Sequence, residues 1–223
     1  MDKQLTTRAY TRFFAGVLIL GALLFIPAGS LAWTNGWLLM GLLLVPMFVA
    51  GLVLMKKNPA LLKRRLNAKE TEATQKKVIA ASALMFGAAF VLAGLNWRFK
   101  WIVLPDWVGW VFAAVFLAAY AMYAEVLREN EYLSRTIEVS AGQKVVDTGL
   151  YGVVRHPMYA VTLALFLSMP LVLGSLPSLV VMLVYPAIIV RRILNEEEVL
   201  TRELDGYDAY KKKVKYRLIP GIW

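Results

Sequence analysis

Residues 13–55 read FFAGVLILGALLFIPAGSLAWTNGWLLMGLLLVPMFVAGLVLM, without one Asp, Glu, Lys or Arg. An α-helix needs about 20 consecutive apolar residues to cross a hydrocarbon core of about 30 Å. The stretch holds two such runs, Phe13–Trp33 and Trp37–Met55, on either side of Thr34-Asn35-Gly36. That link is short and turn-like, so the two runs predict a helical hairpin through a bilayer. Trp33 and Trp37 fall at its tip, where amphipathic rings favour the membrane–water interface.

The same pattern continues along the chain. Apolar runs at Val78–Trp97 and Trp107–Leu127 bracket a loop with Pro105 and several tryptophans. A last pair, Ala160–Gly174 and Leu176–Ile193, closes around Gly174-Ser175-Leu176-Pro177. The first of that pair is short and holds Pro170, so it is expected to be tilted, kinked or less than a full span. The fold class that follows is an all-α, polytopic membrane bundle of about six segments, including a C-terminal helical hairpin over 160–193. Neither alternating strands and helices nor a GxGxxG is present, so no Rossmann domain is expected. Internal repeats and low-complexity segments are likewise missing. Residues 1–127 form an N-terminal set of spans with a basic loop at 56–77. Residues 128–223 form a mixed, chemistry-bearing C-terminal region. Within the basic loop, Leu61, Leu62 and Leu66 suit an amphipathic surface helix, the alternative being a solvated linker.

Charge placement adds an orientation. The chain is 59% hydrophobic and 18% charged, with a net charge of +10. Six spans put both termini and the loops 56–77 and 128–159 on one side, with 23 of the 25 Lys and Arg residues; the other side has only Arg98 and Lys100. The excess of Lys and Arg in cytoplasmic loops makes the rich side cytoplasmic, termini included. The basic charge is thus assigned to the inner leaflet and not to nucleic acid. The N-terminus shows neither the shape nor the small-residue cleavage site of a removable signal peptide. There is no cysteine and a single histidine, His156. Disulfides, thiolate chemistry, zinc–thiolate sites and multi-histidine metal sites are excluded.

Polar groups next to hydrocarbon are energetically expensive and mark functional sites. Two clusters qualify, GQKVVDTGLYGVVRHPMYA at 142–160 and RRILNEEEVLTRELDGYDAY at 191–210, and folding the last hairpin brings them together. In the first, Gly149 and Gly152 permit a turn. Pro157 biases His156 toward an extended conformation and is expected to open the next helix. Arg155 and His156 are then either interfacial caps of that helix or ligand contacts. In the second, Arg192 and Glu196 stand four residues apart on one helical face, with Glu197 turned roughly 100° away. They form either an ordinary surface pair or a site in which Arg holds a carboxylate or phosphate and Glu balances a cation.

YGVVRHPMY at 151–159, RRILNEEEVL at 191–200 and YDAYKKKVKYRLIP at 207–220, with a proline-containing hairpin between the first two, resemble the isoprenylcysteine carboxyl methyltransferase family. That family is similar in turn to the membrane phospholipid N-methyltransferases. The resemblance covers roughly residues 130–223; the first four spans resemble it only in being hydrophobic helices. One departure is TRELDGY at 201–207, a residue shorter than the family's spacing before Tyr207.

The resemblance implies S-adenosylmethionine as cofactor, bound without a Rossmann fold. Its pocket would be lined by Gln143, Lys144, Val145, Val146, Tyr151, His156, Pro157, Met158 and Tyr159. Glu196, with Glu197 as second candidate, would contact the cofactor, and Arg192 would hold the acceptor's carboxylate. Arg192 and Glu196 are then the expected catalytic pair, with no metal involved. The expected activity is methyl transfer to a carboxylate of a lipidic or prenylated acceptor drawn from the bilayer. The first alternative acceptor is a phospholipid amine. The alternatives of another class are a non-catalytic membrane binding subunit and an NADPH-dependent reductase relative.

Overall fold

The computed structural model describes residues 3–66, 73–133 and 139–223. Four long helices come first or nearly so: α1 (Lys3–Ala28), α2 (Thr34–Lys57), α4 (Ala73–Phe99) and α5 (Asp106–Glu129), with the short α3 (Pro59–Leu66) after α2. The C-terminal part contains α6 (Pro157–Val172), α7 (Leu176–Met182), α8 (Tyr185–Glu203) and α9 (Tyr207–Lys213). Five stretches are long and apolar enough to cross a membrane: α1, α2, residues Lys77–Phe99 of α4, α5, and Leu176–Glu203, which joins α7 to α8. The protein is a polytopic helical membrane bundle. Its outer faces carry exposed Leu18, Ile26, Leu84 and Val180, as expected where the surrounding solvent is lipid and the helices satisfy their own backbone.

The fifth segment along the chain, α6, has 16 residues, a rise of about 24 Å where a straight crossing needs about 30 Å. Pro157 begins it with His156 as N-cap, because a proline at the first position gives up only an amide that has no intrahelical acceptor. The second arm of the hairpin is broken at Leu183–Val184, just ahead of Pro186, which cannot donate to the preceding turn. Beyond the break α8 runs unbroken to Glu203, ten residues past the end of the apolar run at Ile193. Arg192, Glu196 and Glu197 therefore ride on the same rigid helix that leaves the bilayer.

Two asparagines tie together the end of the bundle where α6 stops. Asn35 Nδ2 donates to Val172 O at 2.9 Å, satisfying a carbonyl at the C-terminus of α6. Buried Asn96 exchanges hydrogen bonds with the backbone of Ile102 and donates to Gly174 O at 3.4 Å. Trp37 stays half exposed, as an interfacial ring should. Trp33 departs from the interfacial expectation: it is 1% exposed and stacked on Trp97 with ring centroids 6.0 Å apart. Five residues of non-helical chain, 29–33, separate α1 from α2 and turn it inward, and a large ring gains more from packing than from the interface.

The short α3 carries Leu61 and Leu62 on its buried side, with Asn58 Oδ1 accepting from the Leu61 amide. The expected amphipathic helix is thus present over 59–66; residues 67–72 of the basic stretch lie outside the described residues, and 73–77 already belong to α4. Helices α1 and α4 pack closely at Gly94, where an added Cβ would lie 2.6 Å from Leu24 O. Small residues permit such backbone approach between membrane helices. Gly94→Val should therefore destabilise the bundle by about 1–3 kcal/mol, read as a lowered melting midpoint in detergent. An unchanged midpoint would mean that α1 and α4 do not touch there.

Candidate functional site

Where α8 leaves the apolar bundle, a cavity forms against the chain that precedes α6. About 830 Å³ of space, open solvent included, lies between Asn130, Tyr132, Leu133, residues 143–146, Tyr151, the Arg155–Tyr159 turn, α8 and α9. Gln143, Lys144, Val145, Val146, Tyr151, His156, Met158, Tyr159, Arg192 and Glu196 all line it. Two further residues singled out in the sequence do not. Pro157 is buried at the start of α6, and Glu197 is turned away from the cavity.

Tyr159 is the junction of the wall. Its hydroxyl donates to Glu196 Oε2 and accepts from Arg192 Nε at 2.8 Å. Arg192 and Glu196, one turn apart on α8, are thus bridged by a phenol from α6. The Tyr159 ring also stacks on His156, with centroids 5.7 Å apart. A guanidinium and a carboxylate held next to each other give the cavity one group suited to an anion and one suited to a cation.

Glu197 lies one residue on and serves another purpose. Its Oε1 accepts from Arg155 Nε at 2.7 Å and lies 3.3 Å from His156 Nε2; its Oε2 accepts from Arg217 Nε at 2.8 Å. Because an ionised carboxylate only accepts, Nε2 carries the imidazole proton in that contact. Arg155, His156 and Glu197 are all under 9% exposed, so the charge is buried but fully bonded.

Arg155, read from the sequence as a cap or a ligand contact, also lines the cavity, and the remaining wall comes from residues given no site role in the sequence: Asn130, Tyr132, Leu133, Leu200, Leu204, Tyr207 and Tyr210. The spacing of Leu200 from Glu196 on one helical face was a usable signal for one of them. Tyr210 OH donates to Tyr151 O at 2.7 Å and fixes α9 on the turn Gly149–Gly152. That turn needs Gly149, whose φ is +49° and whose Cβ would collide with the Glu129 carboxylate. Burial pushes the Tyr151, Tyr207 and Tyr210 phenols well above their ordinary values, so all three are neutral. Tyr207 OH is buried on this wall without a hydrogen-bond partner among the described residues.

An unpaired buried hydroxyl is destabilising until a ligand satisfies it. Tyr207→Phe should leave the ligand-free protein as stable as wild type or more stable, by on the order of 1 kcal/mol, and weaken whatever binds. A clear loss of thermal stability in the variant would show that the hydroxyl is already satisfied. Among the described residues, no group of three or more His, Asp or Glu is placed to hold a metal ion.

Fold and site together describe a polytopic helical membrane protein with a polar cavity at the exit of its last span. Residues 107–205 match the family described as phospholipid methyltransferase. The match covers less than half of the chain, from the start of α5 to just past α8, and is a likeness of that segment. Over 91 residues the chain is 32% identical to the Delta(14)-sterol reductase of Mus musculus, an alignment covering 40% of this chain and 22% of the reductase. The chain thus spans only about a fifth of that relative's length.

Proposed function

We propose that this protein is an S-adenosylmethionine-dependent membrane methyltransferase acting on a carboxylate of a lipidic or prenylated acceptor. The observation that carries it is the Arg192–Tyr159–Glu196 bridge on the wall of a cavity within the segment similar to lipid methyltransferases. The donor set suits the cofactor. Glu196 would balance its cationic groups, Lys144 reaches the same wall for its carboxylate, and Val145, Val146, Leu200 and Leu204 give an apolar bed for the adenine. The unpartnered Tyr207 hydroxyl supplies one more polar contact.

S-adenosylmethionine, when bound, supplies a methyl group on a positively charged sulfur. The chain's own part is orientation, exclusion of water and placement of charge. Arg192 would hold the acceptor's carboxylate by its planar fork. A carboxylate is already a nucleophile at neutral pH and needs no base. The bias of Lys and Arg toward one side supports placing the cavity and both termini in the cytoplasm, with the acceptor entering from the bilayer.

A second reading is favoured by the family match itself: a phospholipid amine as acceptor. An amine must lose a proton first, and His156 is the wall residue suited to take it. A third, use of NADPH, is favoured by the identity to a sterol reductase. Calorimetric titration of detergent-purified protein with S-adenosylmethionine, and separately with NADPH, sorts the third from the others. Methyl-labelled cofactor given to the protein in a lipid extract then separates the first two. Label released by mild alkali is a methyl ester, whereas label that survives alkali is on nitrogen. Binding of NADPH and not of S-adenosylmethionine would end the methyltransferase reading.

A further inference from the structure

The run Arg217-Leu218-Ile219-Pro220 has no part in the function above and lies beyond the segment that matches the lipid methyltransferases. Its contacts give it one. The Arg155 amide donates to Tyr216 O and the His156 amide to Arg217 O, both at 2.9 Å. Arg155 Nη1 donates to Val214 O and Lys215 O, each at 2.8 Å. Arg217 Nε reaches back to Glu197, whose other oxygen faces Arg155 and His156. Leu218 is buried in one apolar cluster with Tyr159 and Ile193, and the Arg217 guanidinium lies 5.2 Å above the Trp223 ring.

None of residues 214–223 lines the cavity. Any effect they have on it passes through His156 and Tyr159, which do. His156 is held from two sides, by its amide on Arg217 O and by its ring on Glu197, and both anchors lead to Arg217. Its ring in turn stacks on Tyr159, whose hydroxyl joins Arg192 to Glu196.

We propose that Val214–Trp223 is a strap that fixes His156 and Tyr159 on the cavity wall, with Arg217 as its positioning residue. The inference rests on reading the cavity as the S-adenosylmethionine site. Removing the Arg217 side chain leaves Glu197 paired with Arg155 and His156, so no buried charge is stranded and the bundle keeps its fold. What is lost is the strap's side-chain anchor, and with it the fixed geometry that tight binding requires.

The test compares wild type with Arg217→Ala and Arg217→Lys in detergent by two readouts. Hydrogen–deuterium exchange of the peptide covering 151–159 should quicken in Arg217→Ala, while exchange within α1, α2 and α5 stays at wild-type levels. S-adenosylmethionine affinity should fall about tenfold, as loss of one hydrogen bond to a charged group would give. Arg217→Lys keeps the charge with a different donor geometry and should lie between. Faster exchange with unchanged affinity would overturn the positioning role, leaving the strap merely structural. Wild-type exchange in Arg217→Ala would overturn the strap itself. Should Arg217→Ala not be recovered folded, wild-type exchange and affinity in Arg217→Lys would overturn it as well. Wild-type protein that binds no S-adenosylmethionine sinks the functional reading instead, and the exchange comparison still decides the strap.

Discussion

Glu196→Gln is expected to weaken S-adenosylmethionine binding roughly ten- to a hundredfold, the range for hydrogen bonds to a charged group. The substitution keeps the size of the side chain and an oxygen that can accept from Tyr159, but removes the negative charge. In the wild-type wall that charge sits within one phenol of the Arg192 guanidinium. Neutralising it leaves a net positive wall facing a cationic ligand, so the penalty exceeds the loss of one contact. Arg192→Ala is the matched control. It takes away a cation and leaves Glu196 in place, so cofactor affinity should stay near wild type while turnover of a carboxylate acceptor collapses. Calorimetry on both variants, followed by alkali-labile methyl incorporation, checks the pair. Equal cofactor affinity in wild type and Glu196→Gln would remove Glu196 from the cofactor site.

The membrane architecture was legible because its cause is local. Runs of about 20 apolar residues and the sites of Pro105, Pro157 and Pro170 each act on their own stretch of chain. The residues around the cavity were legible where they sit in compact motifs: RHPMY delivers His156, Met158 and Tyr159 in one turn, and one helix turn carries Arg192 and Glu196. The other half of the wall was not. Tyr207 and Tyr210 reach the cavity because α9 docks on the Gly149–Gly152 turn through a contact spanning 59 positions, and no local period announces such a pairing. Adjacent Glu196 and Glu197 illustrate the same limit. Helical geometry says that they point about 100° apart, but which one meets the cavity depends on where Arg155 and Arg217 come to lie. Trp33 likewise carries an interfacial pattern, and its burial depends on where Phe25 and the distant Trp97 come to lie.

Glu197 is where the largest loss of stability should occur. Its carboxylate is the shared partner of Arg155, His156 and Arg217, and among the described residues it is the one acidic side chain in that cluster. Glu197→Leu leaves the Arg155 guanidinium, itself 8% exposed, with backbone carbonyls but no counter-charge. Breaking a buried ion pair from one side costs about 3–5 kcal/mol, because the remaining charge stays buried. Glu197→Gln, which keeps an acceptor oxygen, should lose less. A double variant separates stranded charge from lost contacts as the cause. If stranded charge dominates, Arg155→Met combined with Glu197→Leu should regain part of the stability that Glu197→Leu loses. If lost contacts dominate, the double variant should be weaker than either single one, since Arg155→Met also gives up two bonds to the strap. Melting midpoints of the three proteins in one detergent decide between them, and a Glu197→Leu protein as stable as wild type would mean that this carboxylate is not the centre of the cluster.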